Sequence, residues 1–201
     1  MKIYYAPNTR AVRTVWLCEE LGLGYELERF RLGDRAMREP DYLKVHPMGR
    51  VPALEDGAVT IFESGAITEY LIARYGNGRM APGVDDRWFP EYLQWLHYAE
   101  GMLMPQVNIL VVETRFLPED KRNPVNIERA TKLLTRMLAV VDQTLADREY
   151  FAGEFSGADI MSGHACIVSS RLGADISDKP NLAAYIERLL ARPALAKAWD
   201  A

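Results

Sequence analysis

The sequence predicts an α/β domain followed by an all-helical domain, and three observations carry that expectation. Strand-favouring and helix-periodic segments alternate through residues 1–76. A stretch rich in glycine and proline, 77–86, then separates the two halves as a linker. Beyond it, in 87–201, helical periodicity recurs without a convincing strand. A chain of 201 residues suits two unequal domains, and 49% hydrophobic with 26% charged residues is ordinary globular composition.

Lys2 to Tyr5 favour a strand that Pro7 stops, and Ala11 to Leu21 carry a helical pattern with Val12, Val15 and Trp16 on one face. Gly22 and Gly24 punctuate that helix, and Tyr25 to Phe30 supply a second strand, so the opening is a β-α-β unit. Asp34 to Lys44 is polar and weakly helical. Val51 to Glu55, the Asp56-Gly57 turn and Val59 to Phe62 then read as a β-hairpin. Ser64 opens a helix with Ile67, Leu71 and Ile72 at core spacing, closed near Gly76. A β-α-β unit followed by β-β-α is the order of a thioredoxin-like sheet.

In the second half, Arg87 to Phe116 reads as one long helix kinked at Pro105. Asn123-Pro124 starts another that runs to about Asp147, by the cap-then-proline rule. Further helices are expected from Ser156, over Pro180 to Leu190 and over Pro193 to Trp199.

A net charge of -4 leaves no basic surface for a phosphate backbone, so nucleic acid is not an expected partner. Cys18 and Cys166 stand alone, without CxxC or metal-ligand spacing, so no metal is expected and the compartment reads as reducing. Neither a signal-type apolar region nor an 18-residue apolar run is present, and the expectation is a soluble cytoplasmic protein with no membrane partner.

Two short segments carry binding chemistry. Pro52 precedes a strand, where it has no N–H to give a central ladder. A cis Val51-Pro52 bond would turn the Val51 backbone outward to pair with an extended peptide; an ordinary trans proline at a strand start is the alternative. Glu63-Ser64 lies where the hairpin hands over to a helix. There the Ser64 hydroxyl and the amides after it suit a carboxylate, with Glu63 facing an ammonium. The alternative is that Ser64 is simply an N-cap, although its capping-box partner is missing, since Ile67 occupies that position.

The run Val45-His46-Pro47-Met48-Gly49-Arg50-Val51-Pro52-Ala53-Leu54, a hairpin, and Glu63-Ser64-Gly65-Ala66-Ile67 resemble the glutathione-site signature of the cytosolic glutathione S-transferase family. His46 stands where that family commonly has asparagine. The resemblance implies a cis proline at Pro52, a Val51 backbone paired with the cysteinyl part of glutathione, and a Glu63-Ser64 pair holding the γ-glutamyl end. It also implies that Arg50 meets the glycyl carboxylate. Phe155-Ser156-Gly157-Ala158-Asp159-Ile160 resembles the family's folding motif in the helical domain. Its own chemistry agrees: Ser156 can cap the Asp159 amide while Asp159 reaches back, with Phe155 against Ile160 as a hydrophobic staple. Losing Asp159 is expected to cost about 1 kcal/mol or more.

A transferase must favour the thiolate of glutathione, and lowering a thiol pKa by about two units takes roughly 2.7 kcal/mol. The place for this is Tyr5 to Arg10, at the N-terminus of the first helix. The serine and cysteine positions of the family's subclasses fall on Ala6 and Arg10, so neither nucleophile-type residue is present. Asn8 or Thr9 is the expected thiolate donor, supported by Arg10; Tyr5 is either a donor or a strand residue packed under the helix. His97, Tyr98 and Met102, with Met104, are candidates for an apolar pocket or equally for core and dimer surface. His164 and Cys166 read as buried packing.

The resulting expectation is a glutathione S-transferase that adds glutathione to a hydrophobic electrophile, a homodimer by family habit, with detoxification as the associated role. The rivals are a glutathione-dependent disulfide reductase or peroxidase, and a non-catalytic glutathione-fold binding protein.

Overall fold

A computed structural model describes all 201 residues. They form two compact units, Met1–Ala81 with Leu190–Ala201, and Pro82–Leu189. The sequence reading assigned everything after residue 86 to one helical domain; the last twelve residues instead return to the first unit. The reason is a set of polar anchors. In the C-terminal helix (Pro193–Asp200) the Ala198 carbonyl accepts from the Tyr5 hydroxyl at 2.9 Å. Just before it, Arg192 grips both carboxylate oxygens of Glu20 at 2.6 and 2.8 Å.

The first unit is a four-stranded sheet in the order β2-β1-β3-β4, built from β1 (Lys2–Tyr5), β2 (Glu26–Arg29), β3 (Ala53–Asp56) and β4 (Val59–Phe62). β1 and β2 run parallel, joined by helix α1 (Ala11–Leu21); β3 is antiparallel to both β1 and β4. This is the thioredoxin-like order the sequence predicted. α1 is buried on all sides, not only along the Val12, Val15 and Trp16 face, because the sheet, the C-terminal helix and α3 (Ser64–Tyr75) all cover it. It ends where Gly22 takes a left-handed φ of 70° and Leu23 donates to the Cys18 carbonyl at 2.9 Å. The weakly helical stretch becomes a 3₁₀ turn, Arg35–Arg38, and the short helix α2 (Pro40–Val45).

One row of the sheet fixes the geometry that matters. Ala53 pairs with Tyr4 on one side and with Phe62 on the other. The chain beyond Tyr4, before Ala53 and beyond Phe62 therefore emerges at a single end of the sheet. The strand signal of Tyr25 shortens to a start at Glu26, and on β2 Arg29 pairs with Tyr5, so Phe30 leaves at that same end, its amide bonded to the Tyr5 carbonyl at 2.8 Å.

The second unit is helical. The expected single rod is realised as α4 (Phe89–Tyr98), a wide π turn (Ala99–Leu103), α5 (Met104–Val111) and a second π turn to Phe116. The first π turn lies immediately before Pro105 and accommodates a residue that has no amide to donate. Helix α6 (Pro124–Thr144) begins as predicted, with Asn123 Oδ1 accepting from Val125 N at 3.0 Å and proline at the first position. Helices α7 (His164–Arg171), entered through a π turn over Asp159–Gly163, and α8 (Pro180–Leu190) complete the unit. Gly163 allows close packing here, since a Cβ at that position would stand 2.4 Å from Leu189 Cδ1.

At the centre of this unit Asp159 is fully buried and accepts four hydrogen bonds. Oδ2 takes the Ser156 amide (2.9 Å) and hydroxyl (3.1 Å); Oδ1 takes the Phe151 amide (3.2 Å) and the Tyr185 hydroxyl (2.9 Å). The reach back to Ser156 is as expected, but the Ser156 hydroxyl donates to the carboxylate instead of capping the Asp159 amide, which bonds to the Ser156 carbonyl. Phe155 lies edge-on to Tyr150, 5.4 Å between centroids.

Burial pushes the Asp159 carboxyl up to about 6, against the opposing pull of those four donors. A carboxyl raised in the folded state contributes stability that is full below its unfolded pKa, about 3.9, and is lost as pH rises through about 6. The stability advantage of the native chain over Asp159→Asn should therefore be larger at pH 5 than at pH 8, by roughly 1 kcal/mol. Asp159→Ala, which strands all four donors, should cost roughly 3 kcal/mol in urea unfolding.

Candidate functional site

The three segments gathered at the sheet end are Ala6 to Arg10, His46 to Pro52, and Glu63-Ser64. Each is shaped by its own local chemistry.

The loop from His46 to Pro52 is held from below. Val51 packs on a cluster of Tyr4, Met37, Tyr42 and Ala53, and the Tyr42 hydroxyl donates to the Arg50 carbonyl. His46 is buried, its ring 4.6 Å from that of Phe62, and its Nδ1 accepts the Met48 amide at 3.2 Å. That is the bond an asparagine side chain makes in an Asx turn, so histidine replaces asparagine here without loss of the turn. Burial holds the imidazole below its ordinary pKa, which keeps Nδ1 available as an acceptor. Gly49 is required: its φ is 57°, and a Cβ would meet the Met37 carbonyl oxygen at 2.3 Å. The Val51-Pro52 bond is cis. Val51 itself stands outside the ladder, whose first β1 to β3 pair is Tyr4 with Ala53. Arg50 is exposed.

Glu63 and Ser64 form the second element. Glu63 occupies the N-cap position of α3, exposed, with a φ of 77° that is rare for a residue with a side chain, and gives no side-chain cap. Ser64 is therefore the first helical residue and not the N-cap. The first intrahelical bond is from Ile67 N to the Glu63 carbonyl, at 2.9 Å, which leaves the amides of Ser64, Gly65 and Ala66 without intrahelical acceptors. Ser64 is 2% exposed, and its Oγ accepts from Arg13 Nη1 at 3.0 Å. Arg13 is fully buried in α1. The sequence reading missed it. A lone arginine among the apolar residues of the first two turns of α1 was the available signal, because a charge in that buried stretch needs a polar partner.

The third segment sorts the proposed donors. Tyr5 is fully buried with its hydroxyl bonded to Ala198, so it takes the strand-packing place that was one of its two readings. Thr9 Oγ1 donates to the Ala6 carbonyl (2.7 Å) and accepts from the Ala11 amide (3.2 Å), so it holds the turn that leads into α1 and satisfies the helix's first amide. Asn8 is exposed in the left-handed region at φ 58°. Arg10 is partly exposed at the N-cap of α1.

The remaining candidates lie in the second unit. Tyr98 is half-buried, donates to the Met137 carbonyl at 3.1 Å and packs 4.7 Å from the Trp95 ring. His97 and Met102 are exposed. Cys18 and Cys166 are buried, and burial pushes both thiols up, Cys18 to about 12, so neither is a reactive thiolate.

A thioredoxin-like sheet with a cis proline beside an uncapped helix N-terminus, followed by a helical unit, defines the class of fold. The comparisons with known proteins agree. The sequence models "Glutathione S-transferase, N-terminal domain" and "Glutathione S-transferase, C-terminal domain" match residues 1–73 and 104–193. Glutathione S-transferase 3 of Schizosaccharomyces pombe is 33% identical over 169 residues, covering 78% of this chain and 69% of its own. Glutathione S-transferase 4 of Zea mays is 30% identical over 210 residues, 98% of this chain and 91% of its own. Among solved structures, the glutathione transferase URE2P6 from Phanerochaete chrysosporium, in complex with oxidized glutathione, superimposes with a TM-score of 0.88 at 28% identity, over 99% of this chain and 94% of its own. A sphingomonad glutathione S-transferase complexed with glutathione gives 0.84 at 27%, over 100% and 98%. This chain belongs to the glutathione S-transferase family.

Because the Thr9 hydroxyl bonds both the Ala6 carbonyl and the first amide of α1, Thr9→Ala should lower stability by about 1 kcal/mol in thermal or urea unfolding, with no ligand present. An unchanged midpoint would show that these two bonds contribute nothing.

Proposed function

We propose that this protein is a glutathione S-transferase that binds glutathione along the shared end of the sheet and transfers its thiolate to a hydrophobic electrophile. The observation that carries the reading is the N-terminus of α3: three unengaged amides, no capping side chain, and a serine hydroxyl backed by a buried arginine, beside the cis proline. An uncapped helix N-terminus of this kind favours a carboxylate.

In this reading Ser64 and the amides after it hold the γ-glutamyl carboxylate, and the exposed Glu63 holds the γ-glutamyl ammonium. The Val51 backbone pairs with the cysteinyl residue as one more strand, and Arg50 meets the glycyl carboxylate. Asn8 is the thiolate donor, because Thr9 and Tyr5 have hydroxyls already engaged within the fold; Arg10 adds positive charge. The bound thiol loses its proton, the sulfur attacks the electrophilic carbon, a thioether forms, and the leaving group departs with the bond electrons. The electrophile's pocket, with His97 and Met102 as candidate walls, a homodimeric state and a cytoplasmic setting belong to the same proposal. No helix is long and apolar enough to cross a membrane.

A second reading, glutathione-dependent reduction of a disulfide or peroxide, is favoured by the relative that holds oxidized glutathione, the product of such a reaction. The same thiolate attacks one sulfur of a substrate disulfide, the other sulfur leaves as a thiolate, and a second glutathione then displaces the remaining thiol from the mixed disulfide to give oxidized glutathione. Turnover of disulfides with none of aryl halides would select it.

Ultraviolet titration of bound glutathione tests the common core. The bound thiol is expected to ionise about two pH units before the free thiol. Asn8→Ala should abolish most of that shift, and Tyr5→Phe should leave it intact. A bound thiol that ionises no earlier than the free one overturns the transferase mechanism; a shift lost only in Tyr5→Phe moves the donor to Tyr5.

A further inference from the structure

His46 stands where the glutathione-site signature commonly has asparagine, and the structure shows what that exchange adds. The residue closes α2, its own amide bonded to the Tyr42 carbonyl at 2.9 Å. Its carbonyl accepts the Gly49 amide at 2.8 Å and its Nδ1 accepts the Met48 amide at 3.2 Å, so one residue satisfies two amides and makes the turn. Arg50, Val51 and Pro52 follow directly. The ring also lies against Phe62, 4.6 Å between centroids and inclined by 34°, and Phe62 is the residue before Glu63. His46, only 5% exposed, thus joins the loop that carries Val51 to the segment that carries Ser64.

An asparagine here would accept the Met48 amide at any pH. A histidine accepts it only while neutral, because Nδ1 is an acceptor in the tautomer that keeps its hydrogen on Nε2 and becomes a second donor in the imidazolium. Protonation sets two donors face to face, and the turn has to open. Burial is the strongest influence on the ring and opposes the cation; Glu63 and the His46 carbonyl favour it, and Arg50 opposes it. The α2 charges Asp41 and Lys44 are paired with each other. The net effect keeps the imidazole below its ordinary value of 6.5, so the turn bond is complete above that pH and is lost as pH falls through the lowered value.

We propose that His46 is a positioning residue that couples glutathione binding to pH: through Met48 it sets the loop that presents Arg50 and Val51, and it releases that loop when the imidazole takes up a proton. A second effect has the same sign, since a cation beside Glu63 competes for it with the γ-glutamyl ammonium. The proposal rests on the reading above that this loop and Glu63 hold glutathione. His46 itself does not touch the ligand.

The probe is S-methylglutathione, which keeps the tripeptide and has no thiol to ionise. Proton NMR of the imidazole signal, assigned by its contact with the Phe62 ring, gives the His46 pKa in the free protein and in the complex. Binding should lower it by about one to two units, because the complex needs the neutral ring. Calorimetry should agree: from one pH unit above the free-protein pKa to one unit below it, native affinity should fall about five- to ninefold as the neutral fraction of the free protein collapses. His46→Asn keeps an acceptor that does not titrate while every other group titrates as before, so its affinity should fall at least about threefold less over the same interval. At the higher pH, His46→Asn should bind about tenfold more tightly than His46→Ala, which offers the Met48 amide nothing.

A His46 pKa that binding leaves unchanged or raises, or a pH response as steep in His46→Asn as in the native protein, overturns the coupling and leaves glutathione binding intact. The NMR measurement on the native protein decides the question if neither variant folds. A native protein that binds neither glutathione nor S-methylglutathione at pH 7.5 overturns the proposed function and this inference together.

Discussion

The binding end of the first unit depends on one row of backbone pairing, in which Ala53 is bonded between Tyr4 and Phe62. Pairing in a sheet has a period of two, so a slip of one residue would turn every side chain over and shift each exit point. Because the row is shared by three strands, the segments leaving it are placed relative to one another by main-chain hydrogen bonds and not by loop contacts. Ala53 and Leu54 are fully buried, which gives the register its hydrophobic specification. The aromatic group of Tyr4, Phe30 and Tyr42 then supports the loop above, with Val51 seated on it.

Both units use a buried charge in the same way, with opposite sign. Arg13 in the first and Asp159 in the second each sit in an apolar interior and fix a serine. Around Asp159 every contact is internal: two loop residues and the Tyr185 hydroxyl of α8 are tied to one carboxylate, so the group acts as a folding hub. Around Arg13 the contact joins two elements, since its guanidinium reaches from α1 to the hydroxyl of Ser64 at the start of α3.

Much of this was legible in the sequence wherever the signal is local. Gly22, the Asp56-Gly57 turn and Asn123-Pro124 each mark an element end through their own backbone chemistry, and the observed elements begin and end close to them. The cis-capable Val51-Pro52 bond and the start of α3 at Ser64 were legible for the same reason; of the two readings of Ser64 the N-cap one falls away, because Glu63, with its positive φ, takes that position. What escaped was long-range. Arg13 meets Ser64 across 51 residues and Tyr5 meets Ala198 across 193, and no pattern within either helix or strand names its partner. The hydroxyl of Thr9 looked available for catalysis because its acceptor, the Ala6 carbonyl, becomes an acceptor only once the turn before α1 has formed.

The return of the C-terminal helix to the first unit has a consequence for how the protein is made. A ribosome releases the strands of the sheet before Leu190–Ala201, with the whole of the second unit in between. Until then Glu20 lacks the Arg192 fork and the Tyr5 hydroxyl lacks Ala198, so α1 emerges with one side uncovered. The helical unit, contiguous in the chain, is free to fold as it appears, whereas the sheet unit closes only once the segment beyond that unit has been released. Of the two units, the one whose strands are translated first is therefore the one completed second, and its Tyr5 hydroxyl and uncovered helix face must be kept from other partners while the helical unit is being made.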